Sequence, residues 1–489
     1  MSGERKRLYI ETVGCQMNVL DSEMVVAALR KEGYELTRDP DQADALFFNT
    51  CSVREHAEEK TYSSLGRFRM LKERRPEKLI GVLGCMAQKD QMQVFERVPF
   101  VDLVVGPGQL HRIPELLTAA ASGAGRQLAV SLDRKAGSQE SIRRSHETFD
   151  PLRDPEMRPT PFQAYLRIQI GCDKFCTYCV VPHTRGPEQG RPPPQILDEA
   201  RLLAEQGCLE ITLLGQTVNS YRFHDGTKLW RMADLLEHLH LIDGLRRIKF
   251  VTNYPKDMTG ELLDTIARLP KVSPYLHVPA QSGSDRVLQR MKRGYTVSDY
   301  RAMMERIAER LPQASISSDF IVGFSGETDE DFQLTMDLVE QCQFKNSFIF
   351  KYSLRPGTKA AELLPDDVPA EVKSARNHAL LELQDSISLR QQQQWIGRTV
   401  EVLVEGPSKH AMKRGMLGDL TQMTGRTHDD RIVVWDGNLR QAGQFLPVRI
   451  VDATAFTLLG TVVTQQVVGI GSPRMPDGAT GDPHPLPLA

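Results

Sequence analysis

Short apolar runs recur through the first 110 residues, each ending in a glycine or cysteine turn and followed by a segment of helical periodicity. LYIETVGC (8–15) precedes DSEMVVAALRKEG, in which Met24, Val25, Ala28 and Leu29 recur at helical spacing, with Asp21 or Ser22 as the expected cap and Gly33 as the stop. ALFFNTC (45–51) and LIGVLGC (79–85) each precede another helix, and VDLVVG (101–106) supplies a fourth strand. Strands alternating with helices predict an α/β fold with a doubly wound parallel sheet, whose ligands gather at the carboxyl ends of the strands.

From residue 161 the alternation resumes as a longer series. The strand candidates are YLRIQI (165–170), EITLLG (210–215), RIKFV (247–251), YLHVP (275–279), ISSDFIVG (316–323) and SFIFKY (347–352). Six strand-helix units suit a partial (βα)6 barrel with its active site at the strand ends. After a helical stretch from Ala370 to about Trp395, short strands separated by Gly, Asp and Asn turns predict a small antiparallel β-barrel of the kind that often holds nucleic acid. The chain therefore divides into an N-terminal domain at 7–118, a polar linker at 119–160, a central barrel domain at 161–393, a C-terminal barrel at 396–464 and a tail at 465–489 whose composition predicts disorder.

Composition narrows the chemistry. Of 489 residues 40% are hydrophobic and 25% charged, as in an ordinary globular protein, and eight cysteines are too few for a disulfide scaffold. The N-terminus has no apolar signal-peptide core, and no apolar run approaches the roughly 20 residues of a membrane helix. A cytoplasmic, monomeric protein without a membrane partner is expected, and in a reducing compartment cysteine clusters read as metal sites. The net charge of −2 does not decide for or against nucleic acid, because binding depends on where charge sits. The strip RFRMLKERRPEK (67–78) carries six Lys or Arg against two Glu, and the segment between Gly397 and Ile450 carries eight against six acids.

Cys15, Cys51 and Cys85 each end a different predicted strand, so all three converge on one edge of one sheet, as a metal cluster requires and as three unrelated buried cysteines do not. A second set, Cys172, Cys176 and Cys179, stands in GCDKFCTYCVVPHTRG without a fourth cysteine. His183 could complete a tetrahedral zinc site, which would make the chain a non-catalytic zinc-bearing RNA-binding protein. A cubane held by three thiolates would instead leave one iron open to a substrate or cofactor.

The spacing of GCDKFCTYC resembles the signature of the radical S-adenosylmethionine enzymes. VGCQMN, NTCSVRE, GVLGCMAQ, CVVPHTRGPEQGRP, LLGQTVN, HVPAQSGS, SDFIVGFSGET and MTGRTHDDRIVVWDG are similar to the motifs of methylthiotransferases, from about residue 7 to 465, the last of them to the family's TRAM domain. NTCSVRE and GCMAQ look like the branch that acts on tRNA; the branch that modifies an aspartate of a ribosomal protein is less similar there. The resemblance implies an auxiliary 4Fe-4S cluster on Cys15, Cys51 and Cys85, and a second 4Fe-4S cluster on Cys172, Cys176 and Cys179 whose open iron takes S-adenosylmethionine. It implies that one S-adenosylmethionine donates a methyl group and another yields a 5'-deoxyadenosyl radical, placing a methylthio group on carbon 2 of a dimethylallyladenosine at position 37, beside the anticodon. The partners implied are tRNA and an electron donor. Gln216, Gln281 and Asp319, read as lying at strand ends, are the further candidates for cofactor contact, and no catalytic residue beyond the clusters stands out. Two departures from the family pattern are the run Thr252, Asn253, Tyr254, Pro255, where Thr-Ser-His-Pro is common, and His183, where Tyr is common.

Overall fold

The computed structural model describes residues 6–51, 55–130, 153, 155–415, 418 and 420–463. Its first six strands, β1 (Lys6–Val13), β2 (Tyr34–Leu36), β3 (Ala45–Thr50), β4 (Leu79–Gly84), β5 (Leu103–Val105) and β6 (Gln127–Ala129), form one parallel sheet in the order β2-β1-β3-β4-β5-β6. Alternating side chains feed two cores. Phe47 packs with Val25, Val26 and Leu29 on one face, while Phe48 packs with Leu65, Phe68 and Phe95 on the other. That is the doubly wound arrangement read from the sequence. The segment expected to be a linker from 119 begins inside a helix, Ile113–Ala121, and then adds the edge strand β6, because Leu103, Val104 and Val105 offer a free parallel edge. Its end is not a surface loop either, since Arg153 and Arg158 are buried against Glu23; 131–152 and the tail at 465–489 lie outside the described residues.

The first helix, α1 (Gln16–Lys31), starts earlier than its apolar pattern suggested. Cys15, not Asp21 or Ser22, occupies the cap position, and both of those polar residues are fully buried within the helix. The strip at 67–78 lies along the end of α2 (Glu55–Arg74) and is largely paired: Arg67 with Glu11, Arg69 with Glu73, Lys72 with Asp102, and Arg75 with Glu77.

The central domain carries six parallel strands in two curved halves. β7 (Gln163–Arg167), β10 (Glu210–Leu214) and β13 (Arg247–Phe250) form one; β14 (Tyr275–His277), β15 (Ser315–Val322) and β16 (Asn346–Lys351) form the other. Two antiparallel ribbons interrupt the first half in sequence, β8 (Gln169–Ile170) with β9 (Gln189–Gly190), and β11 (Arg222–His224) with β12 (Leu229–Arg231). Leu166, Ile211, Leu213, Ile248 and Phe250 face outward onto the surrounding helices. Tyr165, Leu214 and Val251 face inward and receive Met17 and Leu20 of α1, so the N-terminal domain is seated on the concave face of the central one.

The last five strands, β17 (Thr399–Pro407), β18 (Thr421–Arg426), β19 (Ile432–Gly437), β20 (Phe445–Ala453) and β21 (Leu458–Val462), close a barrel in the order β17-β18-β19-β21-β20. Four of its pairings are antiparallel as expected, and closure is completed by one parallel pair, β19 with β21. The loop between β18 and β19 meets the starting ends of the central strands. Ser273 donates to the His428 carbonyl, Ser315 Oγ donates to Asp429 at 2.7 Å, and Asp430 accepts from Lys249 at 2.5 Å and from Arg426 at 2.8 Å.

Those cations hold the Asp430 carboxyl well below the usual carboxylate range against the cost of its burial. Asp430→Ala should cost about 3 kcal/mol, since it leaves the part-buried Lys249 and Arg426 without their carboxylate, and should release the C-terminal barrel to limited proteolysis. Because the folded pKa is depressed, this contribution is complete above about pH 4 and is lost as pH falls further toward the folded value. Urea midpoints of parent and variant should therefore converge in acid.

Candidate functional site

Three of the turns at strand ends put thiols together. Cys15, Cys51 and Cys85 directly follow Gly14, β3 and β4, whose last residues pair side by side. Gly84, at φ +93°, permits the approach: a Cβ there would stand 2.4 Å from Asn49 Oδ1 and 2.5 Å from the Thr50 carbonyl oxygen. Asn18 Nδ2 donates to Asn49 Oδ1 and to the Thr50 carbonyl, both at 3.1 Å, and Asn49 Nδ2 returns a bond to the Asn18 carbonyl at 2.9 Å, so the start of α1 is tied to the end of β3. The Cys15 thiol is lowered to about 6, chiefly by the side-chain hydrogen bond with Cys51 and then by Arg185 and the backbone N–H groups of Asn18 and Met17 at the helix start. Burial pushes the Cys85 thiol up, against the pull of Arg185, whose Nε donates to Cys85 Sγ at 3.3 Å.

Cys172, Cys176 and Cys179 occupy the loop after β8. Gly171, at φ +78°, starts it, and any Cβ there would overlap the Pro187 carbonyl at 1.9 Å. Thr177 fastens the middle of the loop, its N–H donating to the Met291 carbonyl at 3.0 Å and its hydroxyl to the Arg290 carbonyl at 2.9 Å. Burial pushes Cys172 up to about 11 and Cys179 up to about 12, and the neighbouring Cys176 adds to both, which places the three thiols within electrostatic reach of one another. Arg293 Nη1 donates to Cys176 Sγ at 3.1 Å while its Nε donates to the Tyr295 hydroxyl at 2.9 Å. Tyr254, one of the departures from the family pattern, packs against that guanidinium at 5.4 Å and donates its hydroxyl to the Arg293 carbonyl.

A tetrahedral zinc site takes four ligands, and each set offers three cysteines. His183 is exposed and acts electrostatically on Glu362. Three thiols in each set, at three strand-end turns in the first and in one loop in the second, are a donor set that suits a cubane with one iron left open.

Three family descriptions match the chain: the uncharacterized protein family UPF0004 at residues 7–106, the radical SAM superfamily at 166–339 and the TRAM domain at 393–463. A curated tRNA-2-methylthio-N(6)-dimethylallyladenosine synthase of Rhodopirellula baltica is 68% identical over 470 residues, covering 96% of this chain and 98% of that one. The chain belongs to the tRNA-2-methylthio-N(6)-dimethylallyladenosine synthase family. Synthases of Bordetella petrii and Syntrophotalea carbinolica are 43% and 42% identical, over 92% and 93% of this chain and 90% and 99% of theirs. Among solved structures, the radical S-adenosylmethionine methyltransferase TsrM of Kitasatospora setae, with cobalamin and a [4Fe-4S] cluster bound, shares the fold at a TM-score of 0.54 and 17% identity, over 73% of this chain and 74% of that one.

Of the other residues singled out in the sequence, Gln216 follows β10 and its buried Oε1 has no hydrogen-bond partner. Gln281 has left-handed backbone, φ +72°, and bridges to Phe320; its N–H donates to the Asp319 carbonyl at 2.8 Å. Asp319 lies within β15 rather than at its end, and its carboxylate meets His277 Nε2 at 3.0 Å on the inner face. Arg185, Arg293 and His277 were not visible as site residues, because nothing local to them marks the sulfur or carboxylate they meet.

In metal-free protein at pH 7, Cys15, which is exposed, should be alkylated by iodoacetamide faster than Cys172 or Cys179. Against Cys172, thiolate fraction favours it by about four orders of magnitude and lower nucleophilicity returns about two, leaving roughly a 100-fold preference measurable by peptide mass spectrometry.

Proposed function

We propose that this chain adds a methylthio group to carbon 2 of N(6)-dimethylallyladenosine at position 37 of tRNA. The observation that carries the reading is the 68% identity, across nearly the whole of both chains, to a synthase of that name. Cys172, Cys176 and Cys179 are the proposed ligands of the 4Fe-4S cluster that S-adenosylmethionine joins, and Cys15, Cys51 and Cys85 those of the auxiliary cluster. When bound, these groups supply one-electron chemistry that can activate an aromatic carbon with neither an acidic proton nor a leaving group.

The remaining residues act by placement. Arg293, fixed by Tyr295 and stacked on Tyr254, holds its positive charge against Cys176. The free Oε1 of Gln216 can accept from the amine of S-adenosylmethionine, and the Asp319 and His277 pair offers polar contacts one layer below, where His277 also meets the edge of Phe348. Met17 and Leu20 cover the opposite inner wall and exclude water from it. The target base must leave its stack to enter such a site. An unidentified electron donor, a monomeric state and a cytoplasmic location complete the proposal.

The test is nucleoside mass spectrometry after anaerobic incubation of the cluster-reconstituted chain with reductant, S-adenosylmethionine and tRNA bearing dimethylallyladenosine. The 2-methylthio nucleoside is the expected product; cleavage of S-adenosylmethionine without it would point to another substrate. Cys176→Ala should abolish 5'-deoxyadenosine, and persistence of that product would overturn the ligand assignment.

A further inference from the structure

Cys85 belongs to the N-terminal domain, yet the side chain that donates to its sulfur comes from the central one. Arg185 is 2% exposed and extends from the end of the short helix Val181–Thr184. Its Nε stands 3.3 Å from Cys85 Sγ and its Nη1 pairs ionically with Asp21 Oδ2 at 2.7 Å, while neither Nη1 nor Nη2 has a hydrogen-bond partner. Asp21 is itself completely buried, on the helix that begins at Cys15, and stands 3.8 Å from the Arg167 guanidinium as well. The guanidinium is thus held relative to two of the three cysteines by an ion pair to one buried carboxylate and by its bond to Cys85.

We propose that Arg185 is a positioning residue that raises the reduction potential of the auxiliary cluster by donating to Cys85 across the domain junction. The proposal rests on the assignment of Cys15, Cys51 and Cys85 as cluster ligands. A charge-assisted hydrogen bond to a ligating thiolate draws electron density from the sulfur and favours the more negative, reduced cluster. Fixed geometry matters as much as charge, because a lysine cannot hold Asp21 and donate to Cys85 in one rigid plane. The potential of the N-terminal cluster is in this way set by a residue of the neighbouring domain and depends on the docking between them.

The experiment uses the full chain carrying Cys172→Ala, Cys176→Ala and Cys179→Ala, reconstituted anaerobically so that only the auxiliary cluster assembles. Iron and sulfide per chain, and the midpoint potential from an EPR-monitored redox titration, are measured for this parent and with Arg185→Gln, Arg185→Lys or Arg153→Lys added. Arg153 pairs with Glu23 and Glu199 in the same junction and serves as the control for docking. The expected result is parental iron content with a more negative midpoint for both Arg185 variants, larger for Arg185→Gln, and a parental midpoint for Arg153→Lys. An unchanged midpoint in Arg185→Lys at full iron content, or an equal shift in Arg153→Lys, overturns the proposal. Should Arg185→Gln fail to hold iron, Arg185→Lys decides alone. A parent that assembles no iron-sulfur cluster fails at the ligand assignment instead, and is recognised by its own iron and sulfide content.

Discussion

Burial of charge between the first two domains is the constraint on which the arrangement depends. Asp21 and Glu23 of α1 have no exposed surface, and they stand against Arg153, Arg158, Arg167 and Arg185, each no more than 6% exposed. Removing one partner of such a set strands a buried charge, at a cost of several kcal/mol, whereas sliding the domains apart exposes them all. The domains are therefore held in one register. That register brings the cysteine-bearing turns of the first sheet to the mouth of the central barrel and lays Met17 and Leu20 on its inner wall.

The two ends of the central strands serve different purposes. Their finishing ends and following loops carry the second cysteine set, and also Gln216 after β10 and Gln281 after β14. Their starting ends meet the C-terminal barrel through Ser273, Ser315, Lys249 and the loop from Thr427 to Arg431. This separation of chemistry from stability is expected of parallel strand-helix barrels.

Much of this was legible beforehand. Strand-helix alternation disclosed the parallel sheet and the six-stranded partial barrel, and the ends of apolar runs singled out Cys15, Cys51, Cys85 and Cys172, with Cys176 and Cys179 singled out by their spacing after it. The start of α1 was misplaced because Asp21 and Ser22 look like caps when read locally; they are interior residues of a longer helix whose polar face is buried against arginines. β6 was hidden because QLA is too short to carry a period, and it is a strand only because β5 offers an edge. Asp319 was placed at a strand end, but β15 runs on to Val322 through its pairing with β16.

Local periodicity and turn chemistry act over a few residues, and so the sequence by itself determined the element types, their order and the placing of cysteines at strand ends. What approaches those cysteines was decided only by the tertiary structure. Arg185 meets Cys85 from 100 positions away, Arg293 meets Cys176 from 117, and Lys249 meets Asp430 from 181. Contacts at such separations leave no trace in a periodic pattern, because they depend on how whole domains pack and on which buried charges that packing forces to pair.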